Sequence, residues 1–93
     1  VDGVKALCEL LRHNHTLKEL SVMESPVGPE GARLLAQTLL LHNNSLRELD
    51  LFDCELGDEG AAVFAELLRR NGPLRELLLR NNNIGPQGVR ALA

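Results

Sequence analysis

One eleven-place pattern, written three times, constrains this chain more than any other feature. Leu46, Leu49, Leu51, Cys54 and Leu56 fill the marked places of L-x-x-L-x-L-x-x-(N/C)-x-L. Twenty-nine residues earlier the same places hold Leu17, Leu20, Val22, Ser25 and Val27, and twenty-eight residues later Leu74, Leu77, Leu79, Asn82 and Ile84. A unit this short cannot bury its apolar face alone, so successive units must stack and share one core. The 93 residues therefore make one small domain at most, and only 2% are aromatic. Such a core is built from many similar Leu, Val and Ala contacts, which stacked repeats supply.

Between the marked stretches the apolar period changes to that of a helix. Counted from Gly3, the apolar places are Val4, Leu7, Leu10 and Leu11. The same offsets give Ala32, Leu35, Thr38 and Leu39 after Gly31, and Ala61, Phe64, Leu67 and Leu68 after Gly60; after Gly88 come Val89 and Leu92. Each helix is predicted to bury this stripe and wet the opposite face. The fifth offset is small in every copy (Cys8, Ala36, Ala65, Ala93), which lets neighbouring helices approach. Gly28-Pro29-Glu30-Gly31, Gly57-Asp58-Glu59-Gly60 and Gly85-Pro86-Gln87-Gly88 read as helix openings, with proline and acids where the first turn favours them. They lack the Lys-Ser/Thr of a phosphate loop. Asn14, Asn43 and Asn71 are expected to close the helices in a left-handed conformation.

The marked stretches read as short strands, roughly 18–22, 47–51 and 75–79. Alternation turns Leu20/Val22, Leu49/Leu51 and Leu77/Leu79 inward. A helix joins each strand to the next, so the sheet must be parallel. Just past the strands, Asn82 can bond inward-facing backbone groups along the stack, Ser25 part of them and Cys54 few, so the ladder should be weaker at those two places. Two cysteines, Cys8 and Cys54, are too few for a disulfide framework, and an inward Cys54 suits a reduced, cytoplasmic setting.

These residues resemble the ribonuclease-inhibitor-like leucine-rich repeats, whose marks are repeats of 28 and 29 residues, a full helix per repeat and a G-x-x-G-A/V helix opening. The resemblance spans essentially the whole chain, and the tract from Asn43 to Leu92 looks most like the repeat region of cytosolic NLR-type immune receptors. It implies an α/β leucine-rich-repeat solenoid: a curved right-handed superhelix with parallel strands on the concave side and helices on the convex side. In that frame the chain divides into a helical half-repeat (1–16), repeats 17–45 and 46–73, and a shortened repeat 74–93. Neither end carries a polar capping repeat, so a larger parent chain is expected. The first full repeat departs from the pattern at Val22, Ser25 and Pro26, where regular stacking is least secure.

On the concave side the outward columns are Glu19/Glu48/Glu76, Ser21/Asp50/Leu78, Met23/Phe52/Arg80 and Glu24/Asp53/Asn81. Neighbouring strands about 4.8 Å apart crowd the glutamates unless Lys18, Arg47 and Arg75 offset them. The columns describe an acidic groove with apolar spots, suited to a protein partner with a basic surface. Clustered carboxylates also fit acid–base catalysis, but no nucleophile, metal set or histidine stands with them, so no enzyme activity, cofactor or metal is expected. His13, His15 and His42 fall in helix-to-strand loops; His13 and His15 could share a metal, though an isolated pair more often is loop surface. The net charge of -3 disfavours nucleic acid, and no apolar run is long enough for a membrane span. The resemblance implies a non-catalytic interaction or ligand-sensing module of a cytosolic immune receptor or regulator; the alternative is an enzyme regulator of inhibitor or GTPase-activator type.

Overall fold

A computed structural model describes residues 2–70 and 74–85. In chain order it has α1 (Asp2–His13), β1 (Glu19–Ser21), α2 (Gly28–His42), β2 (Glu48–Asp50), α3 (Gly57–Arg70) and β3 (Glu76–Leu78). The strands form one parallel sheet in the order β1-β2-β3, with Leu20, Leu49 and Leu77 in register. Each strand is a residue shorter at either end than the alternation predicts, but inter-coil bonding continues past it. Val22 N–H donates to Asp50 O (2.7 Å), Leu51 N–H to Leu78 O (2.9 Å), and Arg47 N–H to Lys18 O (2.7 Å). Helices pack beside helices as strands pair with strands, α1 on α2 and α2 on α3. The expectations for Asn71, Pro86 to Gly88, Val89, Leu92 and Ala93 lie outside the described residues.

The leucines of the pattern make the core. Leu11, Leu35, Leu39, Leu49, Leu51, Leu56 and Phe64 are fully covered. Leu20, Val22, Leu77 and Leu79, on the outer strands, point the same way and are half-buried. Two residues of the expected stripe are exposed, Leu10 at 49% and Leu68 at 37%, and Leu7 is half-buried. Among the described residues α2 has a helix on each side, whereas α1 and α3 have one. Thr38 and Leu67, which hold the place of Leu10 in the later helices, are covered. Burial at these places thus depends on an adjacent coil, not on the helix's own period.

The two glycines of each helix opening do different things. Gly28 and Gly57 take φ of +68° and +65°, where a Cβ is strained. Gly31 and Gly60 allow close approach: a Cβ at Gly60 would lie 2.7 Å from Leu56 Cβ, and one at Gly31 2.9 Å from Val27 Cγ1. No side chain caps α2; instead the Gly28 N–H donates across the stack to Cys54 O (3.1 Å), as Gly57 N–H does to Asn82 O (2.8 Å).

Helix ends correct one expectation. Asn43 is extended (φ -140°, ψ 126°), and neither it nor Asn14 has positive φ. The side-chain amide does the closing. Asn14 Oδ1 accepts the N–H groups of Thr16 (3.0 Å) and Leu17 (2.9 Å), and Asn43 Oδ1 those of Ser45 and Leu46 (3.1 Å each). Asn43 Nδ2 also reaches the preceding coil, donating to Leu11 O and Asn14 O at 2.9 Å. Asn43 and Ser45 are buried, so the backbone groups around them need partners, and an amide supplies both donor and acceptor.

Candidate functional site

Outward residues of the sheet fall into the columns that alternation predicts. Register places Glu19, Glu48 and Glu76 side by side, and beside them Ser21, Asp50 and Leu78. Beyond the strands, Glu24 N–H donates to Phe52 O (2.9 Å) and Asp53 N–H to Arg80 O (3.1 Å), which keeps the next two columns adjacent. The Arg80 guanidinium lies 5.4 Å from the Phe52 ring centroid, a cation–π contact. Asp50 Oδ1 accepts the Phe52 N–H (3.2 Å), fixing the backbone that presents that ring. Met23 is 54% exposed.

The last column has a property that its residue types conceal. Glu24, Asp53 and Asn81 all take left-handed backbone, with φ of 55°, 56° and 60°. Asn81 adopts this readily; a glutamate there carries a penalty of about 1 kcal/mol. The chain leaves strand direction at these residues, so Glu24, Asp53 and Asn81 line the rim of the strand face.

The expected counter-charges for the glutamate column are not found. Arg47 Nη1 donates to two carbonyls of its own loop, Asn44 O (3.1 Å) and Ser45 O (3.0 Å). Among the described residues, no ion pair reaches Glu19, Glu48 or Glu76, and Lys18 and Arg75 form none. The pKa of Glu48, between the other two, is accordingly raised: loss of solvation on the sheet is the largest cause, followed by the carboxylates of Glu76, Glu19 and Asp50. Among the described residues, the glutamate column is thus left without an ion-paired counter-charge.

The remaining polar groups have other work. Among the described residues no three His, Cys, Asp or Glu side chains converge as metal ligands. His13 Nε2 meets Glu9 Oε2 at 3.0 Å, so its partner is not His15. Cys8 and Cys54 are both buried free thiols. Burial pushes the Cys54 thiol above its ordinary value; Asp53, Asp50 and Glu55 add to this and the Ser25 backbone N–H opposes it. Among the described residues no helix is long and apolar enough to cross a membrane.

Three stretches, residues 13–36, 42–65 and 70–93, match the family described as Leucine Rich repeat, and together they make up more than half of the chain. The chain is 36% identical over 91 residues to ribonuclease inhibitor of Mus musculus, covering 98% of this chain and 20% of that protein. It is 37% identical over 90 residues to ribonuclease inhibitor of Sus scrofa, 97% of this chain and 20% of that protein. Against "NACHT, LRR and PYD domains-containing protein 4C" of Mus musculus it is 36% identical over 86 residues, 92% of this chain and 9% of that protein. The chain thus spans about a fifth or less of the curated relatives it matches. These kinships, with the parallel sheet and its alternating helices, describe a β-α repeat module. The chain belongs to the leucine-rich-repeat family.

Proposed function

We propose that the chain is a protein-binding module of a larger cytosolic receptor or regulator, and that it binds through the strand face. The observation that carries this reading is the glutamate column: three carboxylates held in register, with no ion pair to them among the described residues. Held together at neutral pH they repel one another, and a partner's Lys or Arg side chains would relieve that repulsion on binding. Phe52, Met23 and Leu78 supply apolar area beside them, as an interface core requires. The similarity to a protein with NACHT, LRR and PYD domains favours a sensing role in innate immunity. The test is capture of cytosolic proteins by wild-type, Glu48→Lys and Asp50→Lys chains, with the captured proteins identified by mass spectrometry. The expected result is a basic protein held by the wild-type chain and lost from both variants. Capture unchanged by both reversals would remove the strand face from consideration.

A second reading is favoured by the identity to two ribonuclease inhibitors: the module regulates an enzyme through the same face. Inhibition of ribonuclease turnover by the chain, relieved by Glu48→Lys, would support it, and unchanged turnover would exclude ribonuclease as that enzyme.

A further inference from the structure

The helices also carry a face that the repeat does not explain. At the ninth and tenth offsets α1 has Arg12-His13 and α3 has Arg69-Arg70, whereas α2 has Leu40-Leu41. Leu40 is 37% exposed and Leu41 61%, so neither serves the core. Basic residues at the equivalent places show that the fold does not require leucine here. Beside Leu40 and Leu41, at the helix-to-strand end, lies a shallow depression of about 610 Å³ with Arg12, His15, His42 and Asn44 on its walls. Among the described residues no carboxylate lines it, in a chain whose net charge is -3. Among the described residues Arg12 has no ion pair and the Asn44 amide no hydrogen bond, while Asn43 beneath is fully engaged with backbone.

We propose that this depression is a second interaction site, which takes an acidic segment of a partner protein bearing an aliphatic anchor. The anchor side chain covers Leu40 and Leu41; flanking Asp or Glu carboxylates meet Arg12 and the two imidazoles; the Asn44 amide bonds the segment's backbone. Charge complementarity selects this occupant. The patch has the reverse sign of the strand face, so the molecule would hold two partners of opposite charge at once. A membrane surface fits less well, because it asks for a broad basic field and this patch is small on an acidic chain. Nucleic acid would want several free cations and broad stacking platforms, and among the described residues the depression holds one arginine and no Phe, Tyr or Trp.

The test uses the 93-residue chain and a fluorescein-labelled glutamate–leucine peptide (EELLEEL), with binding read by anisotropy and located by ¹⁵N chemical shifts. The expected result is binding with shifts confined to residues around 12–15 and 40–44. The Arg12→Glu chain should bind at least tenfold more weakly, and Glu30→Lys, at the other end of α2, should bind as wild type. The decisive variant is Leu40→Arg with Leu41→Arg, which copies Arg69-Arg70 and so is compatible with the fold; an unchanged melting temperature checks this. It removes the anchor's seat while adding positive charge, and it should also lose at least tenfold. Tighter binding by that double variant would overturn the aliphatic anchor. The site itself would be overturned by no binding of the peptide to wild type at millimolar concentration, by binding to phosphatidylserine vesicles in place of the peptide, or by self-association that covers the patch.

Discussion

The turns after β1 and β3 occupy equivalent places in the repeat and are closed in opposite ways. After β3, Asn82 is buried and its side chain spans two coils. Its Oδ1 accepts the N–H groups of Cys54 (2.7 Å) and Leu56 (3.4 Å), and its Nδ2 donates to Leu51 O (2.7 Å), Leu79 O (3.1 Å) and Arg80 O (3.1 Å). After β1, the Ser25 hydroxyl makes a single local bond, to Met23 O (3.3 Å). The backbone there closes on itself, Val27 N–H to Ser25 O (2.7 Å) around Pro26. That three-residue turn suits proline's fixed φ. The equivalents of Pro26 are Glu55 and Asn83, both left-handed at φ of 56° and 55°, a conformation closed to proline. Cys54 stands between the extremes. Its thiol donates to Val22 O (3.0 Å), as the Asn82 amide does to Leu51 O, and it receives the Ser25 N–H. Its sulfur is a weak acceptor, and Val27 N–H bonds locally to Ser25 O instead. A side chain at this place is worth what it can reach in the preceding coil. By that measure Cys54 does more than its residue type promises, and Ser25 less.

This contrast can be broken by substitution. Asn82→Ala should cost the most, about 3 kcal/mol, because it strands buried donors and acceptors in two coils. Chemical denaturation would measure it, and a loss below 1 kcal/mol would mean that solvent or backbone rearrangement replaces the amide. Cys54→Ala should cost about 1.5 kcal/mol, from a weak bond and a small cavity. The same burial predicts that Cys54 reacts with a thiol reagent only as the fold opens, so its labelling rate should follow global stability.

Ser25→Asn sharpens the comparison from the other side. Pro26 holds the turn closed, and among the described residues no strand precedes β1 for an amide to bridge. The change should therefore stay within about 0.5 kcal/mol of wild type. A large gain would show that the residue type, not the adjacent coil, sets the strength of the turn.

The smallest effect concerns the strand face. Glu48 holds its proton more readily folded than unfolded. Its presence is thus least harmful below the ordinary carboxylate value of 4.5, and stability is lost as pH rises through the raised folded value. Glu48→Gln should melt higher than wild type at pH 7, and the difference should fade on acidification. An equal or lower melting temperature at pH 7 would mean that the column is compensated after all.

Much of this was legible in the chain before any coordinates. Period and spacing located the strands, their register and the inward leucines, because a repeat forces each residue to face its own equivalent. The outward columns followed from the same register. What escaped depended on particular neighbours. Leu10 and Leu68 carry the helical period of core residues, but their cover would come from an adjacent coil. Arg47 is one residue from Glu48, yet its guanidinium is held by the Asn44 and Ser45 carbonyls. Left-handed backbone at Glu24 and Asp53 had no signal in residue type, since glutamate rarely adopts it; only equivalence to Asn81 pointed there. At Asn14 and Asn43 the backbone tolerance of asparagine is not what closes the helix; the side-chain amide is.

The stacking account is tested most directly by amide hydrogen exchange of wild-type and Asn82→Ala chains. Wild type should protect the Cys54 and Leu56 N–H groups, which end on Asn82 Oδ1, and the variant should lose that protection ahead of the Leu49 amide in the sheet. Rapid exchange of Cys54 and Leu56 in wild type, or protection unchanged in the variant, would contradict it.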